Sequence, residues 1–148
     1  MAIEFKRLAD DFAVAEQIGV EDVPAIAAAG YRVIVGNRPD REAPAGQPDF
    51  VEVARAAGAA GLKAEHIPFR GADVRPDQVR ALADLIEAGE GPILAYCRSG
   101  TRSTILWAAA SAALGRDLGE IVAAAAEAGY DLRPYAEPIT LLGRAARG

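Results

Sequence analysis

The run PILAYC, residues 92–97, sets the first limit on what this chain can become. It shows no polar–apolar alternation, so a strand built from it has no face to offer to water. Such a strand needs cover on both sides, which a sheet lying between two helix layers supplies. The next residues sharpen the limit. CRSGTRS, residues 97–103, turns at a glycine and leads directly into STILWAAASAAL, residues 103–114, which reads as a buried helix.

The rest of the chain repeats this alternation. YRVIVG (31–36) and LKAEHIPF (62–69) read as strands. DFVEVARAAGAAG (49–61) reads as a helix with Asp49 as N-cap. DQVRALADLIEAG (77–89) carries the helical stripe Val79, Leu82, Leu85 and Ile86. DLGEIVAAAAEAG (117–129) opens with Asp117 and Glu120 in capping-box spacing. VEDVPAIAAAG (20–30) is a further helix, EFKRL and FAVAEQI suggest a hairpin, and the tail after 129 suggests one more short helix that frays. The expected fold is α/β, with a mostly parallel central sheet and helices on both faces. Ligands in such sheets sit at the carboxyl ends of the strands. The irregular loops 37–48, 70–76 and 97–103 fall there and should converge.

A length of 148 residues fits one domain, residues 1–148. The net charge of −5 argues against a nucleic-acid or anionic-membrane binder. No apolar stretch reaches a membrane span, and the N-terminus does not read as a signal peptide. A single cysteine cannot form an intramolecular disulfide, which points to a reducing, cytoplasmic setting. One histidine and one cysteine do not make an ordinary zinc site, and neither GxxxxGK[ST] nor GxGxxG occurs; no metal and no cofactor are expected.

That one cysteine, Cys97, ends the apolar strand just before a helix begins. The amides of Arg98, Ser99, Gly100 and Thr101 can then point into one concavity, with the helix N-terminus adding partial positive charge. Arg102 offers a planar fork for an oxyanion. Ser103 can cap the helix or donate to the sulfur. Together these make a cysteine nucleophile inside an anion cradle. Asp73, on the second loop, is the best-placed general acid, and Asp40 a weaker one. Arg38 and Arg70 can widen the positive patch. His66 reads as structural and Trp107 as core.

CRSGTRS is similar to the active-site loops of rhodanese sulfurtransferases and of cysteine-dependent tyrosine phosphatases. More widely, GYRVIVGNRPDRE, HIPFRGADVRPDQV, GPILAYCRSGTRS, LWAAA and AAAAEAGYDL resemble, in order, the phosphatase-like domain of the beta-lactamase-hydrolase-like family. The resemblance implies a tyrosine-phosphatase-like fold. In some relatives this domain is fused to a metallo-beta-lactamase-type persulfide dioxygenase, which implies such an enzyme as a pathway partner. Within the loop, four residues separate Cys97 from Arg102, the usual rhodanese spacing, where phosphatases have five. Tyr96 stands where phosphatases commonly carry histidine. Both departures favour sulfurtransferase chemistry, with thiosulfate or a persulfide as substrate and a persulfide on Cys97. The alternative is a phosphatase acting on a phosphate ester through a phosphocysteine. A third reading is a non-catalytic anion-binding module.

Overall fold

The computed structural model describes residues 3–71 and 73–147. The strands are β1 (Lys6–Ala9), β2 (Phe12–Ala15), β3 (Val33–Gly36), β4 (Lys63–His66) and β5 (Ile93–Tyr96). The helices are α1 (Val23–Ala28), α2 (Phe50–Ala59), α3 (Pro76–Ala88), α4 (Thr101–Ala113), α5 (Leu118–Glu127) and α6 (Ala136–Arg147). Short 3₁₀ turns precede α1 and α6. The strands form one sheet in the order β1-β2-β5-β3-β4. The β1–β2 hairpin is antiparallel, whereas the β2–β5, β5–β3 and β3–β4 pairs are parallel. The carboxyl ends of β2 to β5 therefore open on one edge, where the three irregular loops emerge. Among the described residues no helix is long and apolar enough to cross a membrane.

β5 is fully buried and sits at the centre of the sheet. Its side chains alternate between two cores, as the pleat requires. Ile93 and Ala95 join the core under α3, α4, α5 and α6, with Val79, Leu82, Leu106, Trp107, Ile121 and Ile139. Leu94 and Tyr96 join the core under α1 and α2, with Ile26, Val53 and Ala57. The lack of polar alternation in PILAYC is thus explained by helices on both sides. Capping follows the sequence closely. The Asp49 N–H donates to Glu52 Oε2 at 3.2 Å, and Asp117 Oδ2 accepts from the Glu120 N–H at 3.1 Å.

α4 is buried on nearly every side, from Ser103 through Ser111. One of its faces is covered by the tail, which does not fray as expected. α6 runs for 12 residues and buries Ile139, Gly143 and Ala146. Pro138 lies in the first turn of α6, where no intrahelical N–H bond is lost. Gly143 marks a close approach of the two helices. A Cβ there would lie 2.9 Å from the Ala112 Cβ and 3.2 Å from the Ala113 N. Arg147 completes the contact by donating to the Ala113 and Ala112 carbonyls, at 3.1 and 2.8 Å, at the orphaned carboxyl end of α4.

Gly143→Val should destabilise the protein by about 1–3 kcal/mol, because α6 must lift from α4 to admit the side chain. Denaturant unfolding followed by circular dichroism measures this. A variant as stable as the parent would show that the two helices can separate at no cost.

Candidate active site

The carboxyl end of β5 delivers Cys97 to the loop edge with 1% of its surface exposed. Gly100, the residue before α4, has φ 93°, a left-handed conformation that glycine adopts without strain. That turn sends the Gly100 N–H back to Cys97 Sγ at 3.0 Å. The Gly100 carbonyl meanwhile accepts from the Thr104 N–H at 2.9 Å and from Thr104 Oγ1 at 2.8 Å. Tyr130 lies over the turn and donates its hydroxyl to the Ser99 carbonyl at 3.0 Å. A Cβ on Gly100 would collide with that hydroxyl. The Lys6 ammonium sits 5.2 Å from the Tyr130 ring centroid. Ser99 and Thr101 share a hydroxyl hydrogen bond at 3.1 Å, and Arg98 is exposed.

Arg102 occupies the first turn of α4, and its hydrogens can be assigned one by one. Nη1 donates to Glu42 Oε2 at 2.7 Å and to the Phe69 carbonyl at 3.2 Å. Nη2 donates to Glu42 Oε1 at 2.8 Å. The end-on fork is therefore spent on Glu42. The side edge, Nε–H and the second Nη2 hydrogen, makes no hydrogen bond among the described residues. The Glu42 hydrogen bonds, with a smaller contribution from Cys97, raise the pKa of Arg102 and hold it charged. An anion placed at Cys97 meets a guanidinium edge already fixed in orientation.

Glu42 belongs to a larger brace. Arg38, 9% exposed, donates Nε to Glu42 Oε1 at 2.9 Å and Nη1 to Gln17 Oε1 at 3.0 Å. The Gln17 N–H reaches the Arg98 carbonyl at 3.3 Å, which returns the chain of bonds to the cysteine loop. The Arg102 hydrogen bond first, and that of Arg38 after it, lower the Glu42 pKa from 4.5 to about 2. His66 meets the Arg38 carbonyl through Nε2 at 3.1 Å and stacks on Phe50, with ring centroids 4.5 Å apart. Ser103 lies inside α4 rather than at its cap. Its hydroxyl donates to Asn37 Oδ1 at 2.8 Å, while Asn37 Nδ2 donates to the Ile67 carbonyl at 3.0 Å. This links the cysteine loop to β3 instead of feeding the sulfur.

The remaining residues divide. Asp73 is exposed, on the loop between β4 and α3, with its N–H on the Arg70 carbonyl at 2.9 Å. That same loop includes Phe69, whose carbonyl holds Arg102, so Asp73 comes from a segment that touches the site. Asp40 is committed elsewhere, with Oδ1 accepting from the Phe50 N–H at 2.8 Å as α2 begins. Tyr96 points into the core under α2; burial, then the Asp40 charge, push its pKa up and keep it neutral. Trp107 is core, with the Arg116 guanidinium 5.6 Å from its ring centroid. Sequence reasoning misses Glu42, Gln17, Asn37 and Tyr130. Glu42 stands four residues after Arg38, a spacing that signals an ion pair on a helix but carries no such meaning on a loop.

This geometry supports two measurements. The depressed Glu42 pKa gives stability that is fully present above the unfolded carboxyl value of 4.5 and is lost as pH falls toward about 2. The stability gap between the parent and Glu42→Gln should therefore be constant near neutrality and narrow below pH 4.5. Denaturant unfolding at several pH values reads it; a gap that widened in acid would contradict the ion pair. Gly100→Ala must find a new place for Tyr130, so it should lower both the melting temperature and anion binding, seen by calorimetry with inorganic phosphate.

The family described as beta-lactamase hydrolase-like protein, phosphatase-like domain, matches residues 4–114. A beta-lactamase hydrolase-like protein of Agrobacterium fabrum is 36% identical over 110 residues, covering 74% of this chain and 25% of that protein. The chain spans about a quarter of the length of the curated relatives it matches. A candidate phosphatase from Neisseria meningitidis superposes with a TM-score of 0.78 at 34% identity, covering 92% of this chain and 96% of that one. At fold level, the structure of PTPMT1 in complex with PI(5)P superposes with a TM-score of 0.73 at 11% identity, over 96% of each chain. The distant structures support a tyrosine-phosphatase-like fold, and the family match with the Neisseria structure supports a phosphatase-type enzyme with a cysteine nucleophile. They give no support to the sulfurtransferase chemistry that the short Cys97–Arg102 spacing favours. That spacing reports the width of one loop, whereas the match runs from the N-terminal hairpin through α4. By its sequence and by its fold, this chain belongs to the phosphatase-like domain family of the beta-lactamase hydrolase-like proteins.

Proposed function

We propose that this chain hydrolyses phosphoric monoesters through a phosphocysteine formed on Cys97. The observation that carries the reading is the pose of Arg102, which is held end-on by Glu42, keeps its side edge without a hydrogen-bond partner among the described residues, and is helped to stay charged by Cys97. A transferring phosphoryl group spreads charge over three equatorial oxygens, and catalysis consists mainly of donors fixed around them. The Arg102 edge supplies two such donors, and the amides of Arg98, Ser99, Gly100 and Thr101 supply the others. In the first step the Cys97 sulfur bonds to phosphorus while the ester P–O bond breaks. The departing oxygen takes the proton of the Asp73 carboxyl. In the second step water attacks phosphorus and gives a proton to the Asp73 carboxylate. The S–P bond breaks, and inorganic phosphate leaves. Arg38 acts through Glu42 rather than on the substrate, and Ser103 acts through Asn37 to hold the loop on β3.

Sulfur transfer is the second reading, favoured by the four residues between Cys97 and Arg102. Side-by-side assays separate the two. An aryl phosphate should be hydrolysed, and Cys97→Ser should abolish turnover. Asp73→Asn should lower turnover of an alkyl phosphate by about 10²–10⁴-fold, since that leaving group needs the proton most. Arg102→Lys should not restore activity, because an ammonium has no side edge. A cyanide-removable gain of one sulfur atom after incubation with thiosulfate, with no ester hydrolysed, would replace this reading by sulfur transfer.

A further inference from the structure

Beside Arg102 lies a cavity of about 330 Å³ that the phosphoryl chemistry does not use. Its walls are Val74 from the loop that carries Asp73, Ile105 from α4, and Tyr135, Pro138 and Leu142 from the tail. Arg102, its neighbour Thr101 and Gly71 form the remaining side. Arg102 is the one charged side chain among the described residues that line it. Tyr135 leaves 36% of its surface in water at this rim. An apolar recess with a single arginine at its edge fits one chemical type, a compact apolar group attached to an anion.

We propose that this cavity seats the organic part of the substrate, so that the enzyme selects phosphate monoesters of a small apolar group. The inference rests on the phosphatase reading for the position of the ester oxygen. That oxygen must face the loop of Asp73 to take its proton, while the phosphoryl oxygens face the Arg102 edge. The cavity is bounded by that same loop and that same arginine, so the group beyond the ester oxygen enters it. Its volume lies at the small end for ligand sites, which span about 300–1,000 Å³. One aromatic ring or a short branched chain fits, and a sugar would leave its hydroxyls facing Val74, Ile105 and Leu142 without partners. Tyr135, Pro138 and Leu142 all fall outside residues 4–114, so this preference is written in sequence beyond the family match.

Non-hydrolysable phosphonates read the cavity apart from the chemistry. Phenylphosphonate should bind at least about tenfold more tightly than methylphosphonate by calorimetry, the gain expected from burying a ring. Leu142→Trp, which fills the recess, and Tyr135→Ala, which removes an exposed rim residue, should each reduce that ratio at least about threefold. The same variants should reduce the ratio of kcat/KM for phenyl phosphate over glycerol phosphate. Equal binding of the two phosphonates by the parent, or an unchanged ratio in both variants, overturns the assignment. Preferential phenylphosphonate binding with no ester turned over would instead refute the phosphatase reading and leave the cavity assignment standing.

Discussion

Three loops that leave one edge of the sheet are joined through a single carboxylate–guanidinium pair. Glu42 comes from the loop after β3, and Arg102 from the first turn of α4; Phe69, ahead of α3, adds its carbonyl to the same guanidinium. Without this pair the guanidinium would have no fixed bearing on the cysteine loop. Arg38 ties the carboxylate further, to Gln17 beyond β2, so the carboxyl ends of β2, β3, β4 and β5 all contribute. Two arginines share one glutamate, which leaves one excess positive charge at the sulfur of an acidic protein. Selectivity for an anion thus arises locally, against the sign of the whole molecule.

Much of the fold is legible in the sequence because its signals are local. PILAYC announces a doubly covered strand, and caps such as Asp49 and Asp117 bond where the sequence places them. The cysteine loop is legible for the same reason, since strand end, glycine and helix start are contiguous. The supports of that loop are not. Glu42 and Arg102 are 60 positions apart, and Ser103 and Asn37 are 66 apart. Nothing short-range marks such partners. The tail, expected to hold a short helix that frays, instead packs along α4 as α6, with Pro138 in its first turn and Gly143 at the helix crossing.

The chemistry is the hardest part to read from the sequence. Loop spacing near Cys97 suggests sulfur transfer, while the likeness over the whole fold supports a phosphatase-type enzyme. The two agree on what the loop must do, which is to surround an anion with donors next to a sulfur. They differ over whether a leaving oxygen has to be protonated. That demand falls on a neighbouring loop, and the cysteine loop itself carries no record of it.

Tyr130 has a consequence for how such an enzyme can change its diet. It comes from outside residues 4–114, yet its hydroxyl holds the turn at Ser99. The C-terminal segment is therefore not ballast added to a finished catalyst. It is a face-plate bolted to the cysteine loop, and on the proposed reading its exchange would suit a new ester while leaving Cys97 and its brace intact. The attachment also sets a limit on that freedom: any substitute segment must bring a donor for the Ser99 carbonyl and leave room for a residue with no side chain at position 100.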